Sequence, residues 1–113
     1  MNLLAVYTTV ASRADARAMA EACVERGLAA CAQIAEVESF YVWNGALCNE
    51  PEFSILFKTA TERYAALEAA IRELHGYELP AIHAVAVERA FGPYAEWVEA
   101  GSAGAGAGTA GKG

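Results

Sequence analysis

Residues Ser39 to Thr59 read SFYVWNGALCNEPEFSILFKT, and this stretch decides the fold. Two β-rich runs meet at Asn44-Gly45. An Asn-Gly pair between such runs predicts a two-residue type I′ hairpin, because both central residues of that turn take positive φ. Before the turn, Phe40 and Val42 alternate with Tyr41 and Trp43. After it, Phe53, Ile55 and Phe57 alternate with Ser54 and Lys58, and only Leu56 breaks the pattern. At about 3.3 Å per residue each arm reaches roughly 40 Å if continuous. A lone two-stranded ribbon is marginal in water, so something must cover it. The economical cover is a second copy of the same chain.

Working outward, Leu3 to Val10 reads as a central strand, apolar on both parities. Ser12 is placed as an N-cap with Asp15 in the first turn. The helix that follows carries an apolar stripe of Ala16, Met19, Ala20, Cys23 and Val24, and Gly27 ends it. Leu28 to Ile34 begins the second strand, with an interruption expected near Glu36 before the run resumes toward Trp43. Beyond the hairpin, Thr61 is placed to cap a helix carrying Tyr64, Leu67, Ile71 and Leu74, which ends at His75-Gly76. Pro80 enforces an extended connector, Ala81 to Glu88 forms the fourth strand, and Gly92-Pro93 opens a short last helix. The order strand, helix, strand, strand, helix, strand is the split βαβ pattern of an α+β, ferredoxin-like sandwich. Its four-stranded antiparallel sheet carries both crossover helices on one face. The other face and the long hairpin are left as an assembly surface.

Composition narrows the function classes. The 113 residues form one domain over 1–100, with a Gly/Ala-rich tail, 101–113, expected to be disordered and to contribute nothing to stability. Fourteen acidic against eight basic residues give a net charge of −6. No basic run is present, which argues against nucleic acid or an anionic membrane as partner. The opening MNLLAVYTTV lacks the features of a signal peptide, and no apolar run is long enough to span a bilayer. Three cysteines without a CxxC spacing make no disulfide framework, so a cytoplasmic location is expected.

A family resemblance is carried by an ordered set of motifs. These are Gly27-Leu-Ala-Ala-Cys-Ala32, Tyr41-Val-Trp-Asn-Gly45, Glu50, Glu52, Phe57-Lys-Thr59, His75-Gly-Tyr-Glu-Leu-Pro80 and Tyr94-Ala-Glu-Trp97. Together they resemble the CutA family of divalent-cation tolerance proteins over residues 3 to 99. The resemblance implies a tight homotrimer in which the hairpins extend sheets between subunits, and a link to tolerance of copper and other divalent metals. Gly76 stands where the family usually has proline, Pro51 interrupts the acidic stretch, and Ala35-Glu36-Val37 replaces a Pro-Gly loop.

Candidate site residues follow from residue chemistry and from this resemblance. Cys31 falls on the family's common cysteine, and a thiolate there would suit Cu(I). Core packing is the plainer reading of both Cys23 and Cys31, since free cysteine is among the most buried residue types. His75, Tyr77, Glu78 and His83 flank one connector, where imidazoles and a carboxylate could ligate a metal. A capping or structural hydrogen-bonding role is the plainer reading of His75, which lies near a helix C-terminus. His83, on an otherwise apolar strand, is expected in the core or at an interface. Lys58 on an apolar strand needs a carboxylate, with Glu50, Glu52 or Glu78 as candidates. That set points to a small anionic or metal-linked ligand between subunits. Trp43 and Trp97 have the character of interface anchors. The expected ligand-binding residues are therefore Trp43, Glu50, Lys58, His75, Tyr77 and Glu78, and the expected metal-binding residues are Cys31 and His75. No cofactor is required, and copper or another divalent cation would bind weakly. A nitrogen-regulator-like signalling trimer is the alternative, but such proteins carry a long loop where Asn44-Gly45 closes in two residues. An acylphosphatase-like enzyme would need a phosphate cradle after the first strand, and Thr8 to Arg13 lacks its glycines. No nucleophile with a partnered base is evident, so no catalysis is expected.

Overall fold

In the computed structural model, which describes residues 2–104, Asn44 and Gly45 take φ values of 52° and 78° and close the hairpin in two residues. The strands are β1 (Leu3–Val10), β2 (Cys31–Trp43), β3 (Ala46–Ala60) and β4 (Ile82–Val87). The helices are α1 (Arg13–Glu25), α2 (Tyr64–Leu74) and α3 (Gly92–Gly101). All neighbouring strands run antiparallel in the order β2-β3-β1-β4. This is the ferredoxin-like α+β sandwich expected from the element order.

Local signals explain most of the helix ends. The Ser12 side chain accepts from the Asp15 N–H at 3.1 Å and starts α1. Gly27, at φ 70°, ends it, with the Leu28 N–H returned to the Cys23 carbonyl at 3.0 Å. Thr61 departs from its expected role. Thr61–Arg63 form a short 3₁₀ turn ahead of α2, and no side chain caps either start.

The expected break near Glu36 is absent. The β2–β3 register runs without a slip from Cys31↔Lys58 to Trp43↔Ala46. Glu36 pairs with Phe53, whose other neighbour is Val10, the last residue of β1. A charge there sits where backing by β1 ends, so the strand need not break to hydrate it. Past this line Val37–Trp43 and Ala46–Glu52 project as a two-stranded ribbon of about 23 Å. Pro51 is tolerated because β3 has only one neighbour at that level.

Parity divides the core. Val6, Val10, Ile55 and Phe57 point to one face, where Met19 and Cys23 of α1 and Leu67 and Ile71 of α2 bury them. Burial pushes the Cys23 thiol up to about 11, as suits an inert packing residue. The opposite face is not left wholly open, as the two crossover helices alone would leave it. Ala95 and Val98 of α3 pack on Leu3, with Val87 and Trp97 alongside.

The domain boundary also needs correction. The tail expected from Gly101 onward begins inside the fold. Helix α3 runs through Gly101, and a Cβ built there would lie 2.9 Å from the Ala30 Cβ, so glycine permits the close approach. Ser102 is fully buried; its hydroxyl donates to the Val98 carbonyl at 2.6 Å and accepts from the Ala60 N–H at 3.1 Å. The Gly104 N–H reaches the Gly27 carbonyl at 3.1 Å. The remainder of that tail, 105–113, lies outside the described residues. Ser102→Ala strands the buried Ala60 N–H and should cost about 1–3 kcal/mol. Deleting 101–113 should likewise lower the melting temperature, where a disordered tail would leave it unchanged; thermal denaturation followed by circular dichroism checks both.

Candidate ligand-binding cleft

Beyond the end of β1, the ribbon and the 76–81 connector enclose a cleft of about 720 Å³. Ser39, Tyr41 and Trp43 share one parity of β2, and Glu52 and Thr9 lie on the same sheet face by register. The connector brings Gly76, Tyr77, Glu78, Leu79 and Ala81 to the opposing wall. Hydrogen bonds fix this arrangement. The Tyr77 hydroxyl donates to Glu52 Oε2 at 2.7 Å and the Tyr41 hydroxyl to Glu50 Oε1 at 2.6 Å. Glu52 is buried, only 7% exposed, whereas the Tyr41–Glu50 pair is exposed.

The electrostatics follow from these pairs. The Glu50 carboxylate accepting from Tyr41 holds that phenol up to about 12. Tyr77 is raised further, first by desolvation and then by its bond to Glu52.

His75 serves the scaffold. Its Nδ1 accepts the Tyr77 N–H at 3.1 Å, which leaves Nε2 to carry the proton and donate to the Thr9 carbonyl at 2.8 Å. Its ring also lies 4.9 Å from that of Tyr77. The imidazole thus ties the connector to β1, and neither nitrogen is free for a metal in this arrangement. His83 stacks on Tyr7 at 5.0 Å and is exposed on the open sheet face, outside the core.

Of the expected ligand-binding residues, the structure gathers Trp43, Tyr77 and Glu78 in the cleft, Glu50 beside it through Tyr41, and His75 behind it. It does not bring Lys58 there. Lys58 pairs with Ala5 and Cys31 near the other end of the sheet, eight residues along β3 from Glu50. That separation is about 26 Å in an extended strand, so Lys58 does not reach Glu50 within one protomer. The Lys58 ammonium lies over the Tyr94 ring at 5.9 Å instead, and the Cys31 sulfur lies 3.9 Å from the Tyr94 hydroxyl.

Cys31 and His75 are likewise kept apart. Cys31 is on the row of Ala5, and His75 is tied to Thr9, four residues further along β1, roughly 13 Å away. Among the described residues no three His, Cys, Asp or Glu side chains converge to hold an ion. The donor set of one protomer therefore does not fit a resident metal. Sequence reading passed over Tyr41 and Thr9 as site residues. Tyr41 had a signal, its two-residue spacing from Trp43 on one face of the ribbon; Thr9 had none, because the connector that reaches it is not periodic.

Comparison with known proteins agrees with the fold. The model of the family described as CutA1 divalent ion tolerance protein matches residues 4–101. The divalent-cation tolerance protein CutA of Archaeoglobus fulgidus is 31% identical over 94 residues, covering 83% of this chain and 92% of that one. Among solved structures, CutA from Synechococcus elongatus superposes with a TM-score of 0.87 at 34% identity, covering 89% of this chain and 90% of that one. CutA1 from a psychrotrophic Shewanella gives 0.86 at 36% identity, covering 89% and 95%. The chain belongs to the CutA1 divalent ion tolerance family.

The carboxylate-bonded phenols give a direct test. Tyr41 has a folded value above its unfolded one, so its bond to Glu50 stabilises the fold fully below about pH 10. That contribution is lost as pH rises through about 12. Glu50→Gln should return one phenol toward its ordinary value, read as a low-pH component in the phenolate absorbance titration. An unchanged titration would show that the pair does not hold.

Proposed function

We propose that the chain acts as a divalent-cation tolerance protein, copper among its cations, in the form of a homotrimer assembled through the hairpin. It holds a cation or other small ligand weakly at clefts between subunits and performs no catalysis. The observation that carries this reading is the uncovered ribbon. Phe40, Val42 and Leu47 share one of its faces and are 66%, 67% and 74% exposed, while Tyr41 and Trp43 occupy the other. Its outer strand β2 is also the sheet edge. Burying one such side chain is worth about 1.5–3 kcal/mol, a large share of the ~5–15 kcal/mol by which a domain is stable. Pairing the edge with another copy removes apolar surface and satisfies backbone groups together. The number three comes with the family resemblance.

Weak binding follows from the scattered donors described above, since affinity for Cu(II) or Zn(II) depends on converging ligands. The two-residue turn leaves no long loop at the hairpin tip, and the nitrogen-regulator-like alternative is not favoured. Cys23, Cys31 and Cys48 are all free thiols, which supports the cytoplasm as the site of action. The Archaeoglobus fulgidus protein is named periplasmic in its solved structure. Among the described residues no helix is long and apolar enough to cross a membrane.

Sedimentation of the full chain at micromolar concentration should show a trimer. Trp43→Ala should weaken assembly more than it alters strand content, and melting should depend on protein concentration. A folded monomer would overturn the reading, and a stable dimer would overturn its threefold symmetry. Calorimetric titration with Cu(II) and Zn(II) should give micromolar or weaker dissociation constants, with Cys31→Ser and His75→Ala each leaving most of the binding in place. Nanomolar binding abolished by either substitution would contradict the absence of a clustered site.

A further inference from the structure

The four strands carry a single Lys or Arg, Lys58, and the hairpin ribbon carries three acids, Glu38, Glu50 and Glu52, with no Lys or Arg. Lys58 is half-buried on β3, with its ammonium over the Tyr94 ring at 5.9 Å. Among the described residues no carboxylate pairs with it. We infer that its counter-charge comes from a second copy of the chain: the partner subunit's Glu50, carried on the hairpin ribbon, pairs with Lys58 beside Tyr94. The inference rests on the hairpin-assembled trimer and deepens it by naming the polar contact that fixes how the copies meet.

Three observations carry it. First, a half-buried ammonium on an apolar strand is costly without an opposite charge, and a ring face offsets only part of that cost. Its own protomer cannot supply Glu50, which stands eight residues away along β3, about 26 Å. Secondly, parity selects the acid. Lys58, Glu50 and Glu52 share one sheet face, whereas Glu38 leaves by the other. Glu52 is buried and committed to the Tyr77 hydroxyl at 2.7 Å. Glu50 accepts from the Tyr41 hydroxyl at 2.6 Å and keeps acceptor capacity for an ammonium. Thirdly, the face that holds both groups is the one left short of cover. Val85 shares it and is 52% exposed, while α1 and α2 pack on the other face. Laying a partner's ribbon on this face removes apolar surface and brings the acidic element to the sheet's one ammonium. Because the two groups lie far apart on each β3, every subunit gives a carboxylate to one neighbour and takes one from the other. Such a head-to-tail contact closes into a ring.

The test is a charge swap in the full chain, with assembly read by sedimentation equilibrium and by the dependence of melting on protein concentration. Lys58→Glu and Glu50→Lys should each raise the midpoint concentration of dissociation about tenfold or more, because each sets like charges together. The double variant should return to within about threefold of the unaltered chain. Mixing the two single variants should also recover assembly above that of either alone, since each offers the charge the other lacks. A pair within one protomer could not be restored by mixing. Glu38→Lys, the same charge change on the opposite face of the ribbon, should not rescue Lys58→Glu. Rescue by Glu38→Lys would reduce the effect to overall charge, and rescue in the double variant without rescue on mixing would place the pair inside one protomer; either overturns the inference. So does a double variant as weak as the two single losses added. Where a reversal fails to fold by circular dichroism, Lys58→Met and Glu50→Gln take its place, and losses that simply add overturn the pairing. If the unaltered chain is a trimer and the swap fails, this inference falls and the trimer stands; if the unaltered chain is a monomer, both fall.

Discussion

The slip-free pairing of β2 with β3 is the constraint on which the other features depend. Thirteen consecutive residue pairs descend from the two-residue turn without a bulge, from Trp43↔Ala46 to Cys31↔Lys58. Because side chains alternate with period two, a single slip would move Ile55 and Phe57 out of the core and Ser54 and Lys58 into it. The same register places Tyr41 and Trp43 on the face of Glu52, and Cys31 beside Lys58 at the far end. Turn chemistry at Asn44-Gly45 thus fixes the core and the cleft in one step.

Sequence reading succeeded where the signal is local or periodic. The turn, the Ser12 cap, the Gly27 stop and the apolar stripes of both crossover helices, apart from the exposed Val24 and Leu74 at their C-terminal ends, each have a physical cause within a few residues. It failed where the cause is tertiary. An acid at Glu36 looks like a break only until β1 is known to end beside it at Val10. A Gly/Ala run looks like a flexible tail until Gly101 is set against Ala30 and Ser102 against the Ala60 N–H. Low complexity at its start reflects close packing, since only small residues allow that approach.

The candidate site was legible in its membership more than in its geometry. Trp43, Tyr77 and Glu78 were singled out and do share the cleft. Within one protomer Lys58 stands away from the cleft, because parity tells which face a side chain leaves by and says nothing of position along the strand. Eight residues of β3 separate it from Glu50, a distance no lysine spans. His75 was read as either ligand or structural group. The structure favours the second, with both ring nitrogens engaged by backbone atoms.

The two ends of the sheet are consequently different chemical environments. Near Cys31, Lys58 and Tyr94, helix α3 covers the face, and the ammonium rests on an aromatic ring. Beyond Val10, among the described residues, no helix follows the ribbon, and carboxylates paired to phenols take the place of a hydrophobic cover. A carboxylate can be buried at Glu52 because Tyr77 donates to it and the connector that carries Tyr77 is pinned through His75 to Thr9. Loosening that pin would return Glu52 to water and open the wall at once. The shape and the charge of the cleft therefore depend on the same short chain of hydrogen bonds, from the Thr9 carbonyl through His75 and Tyr77 to Glu52.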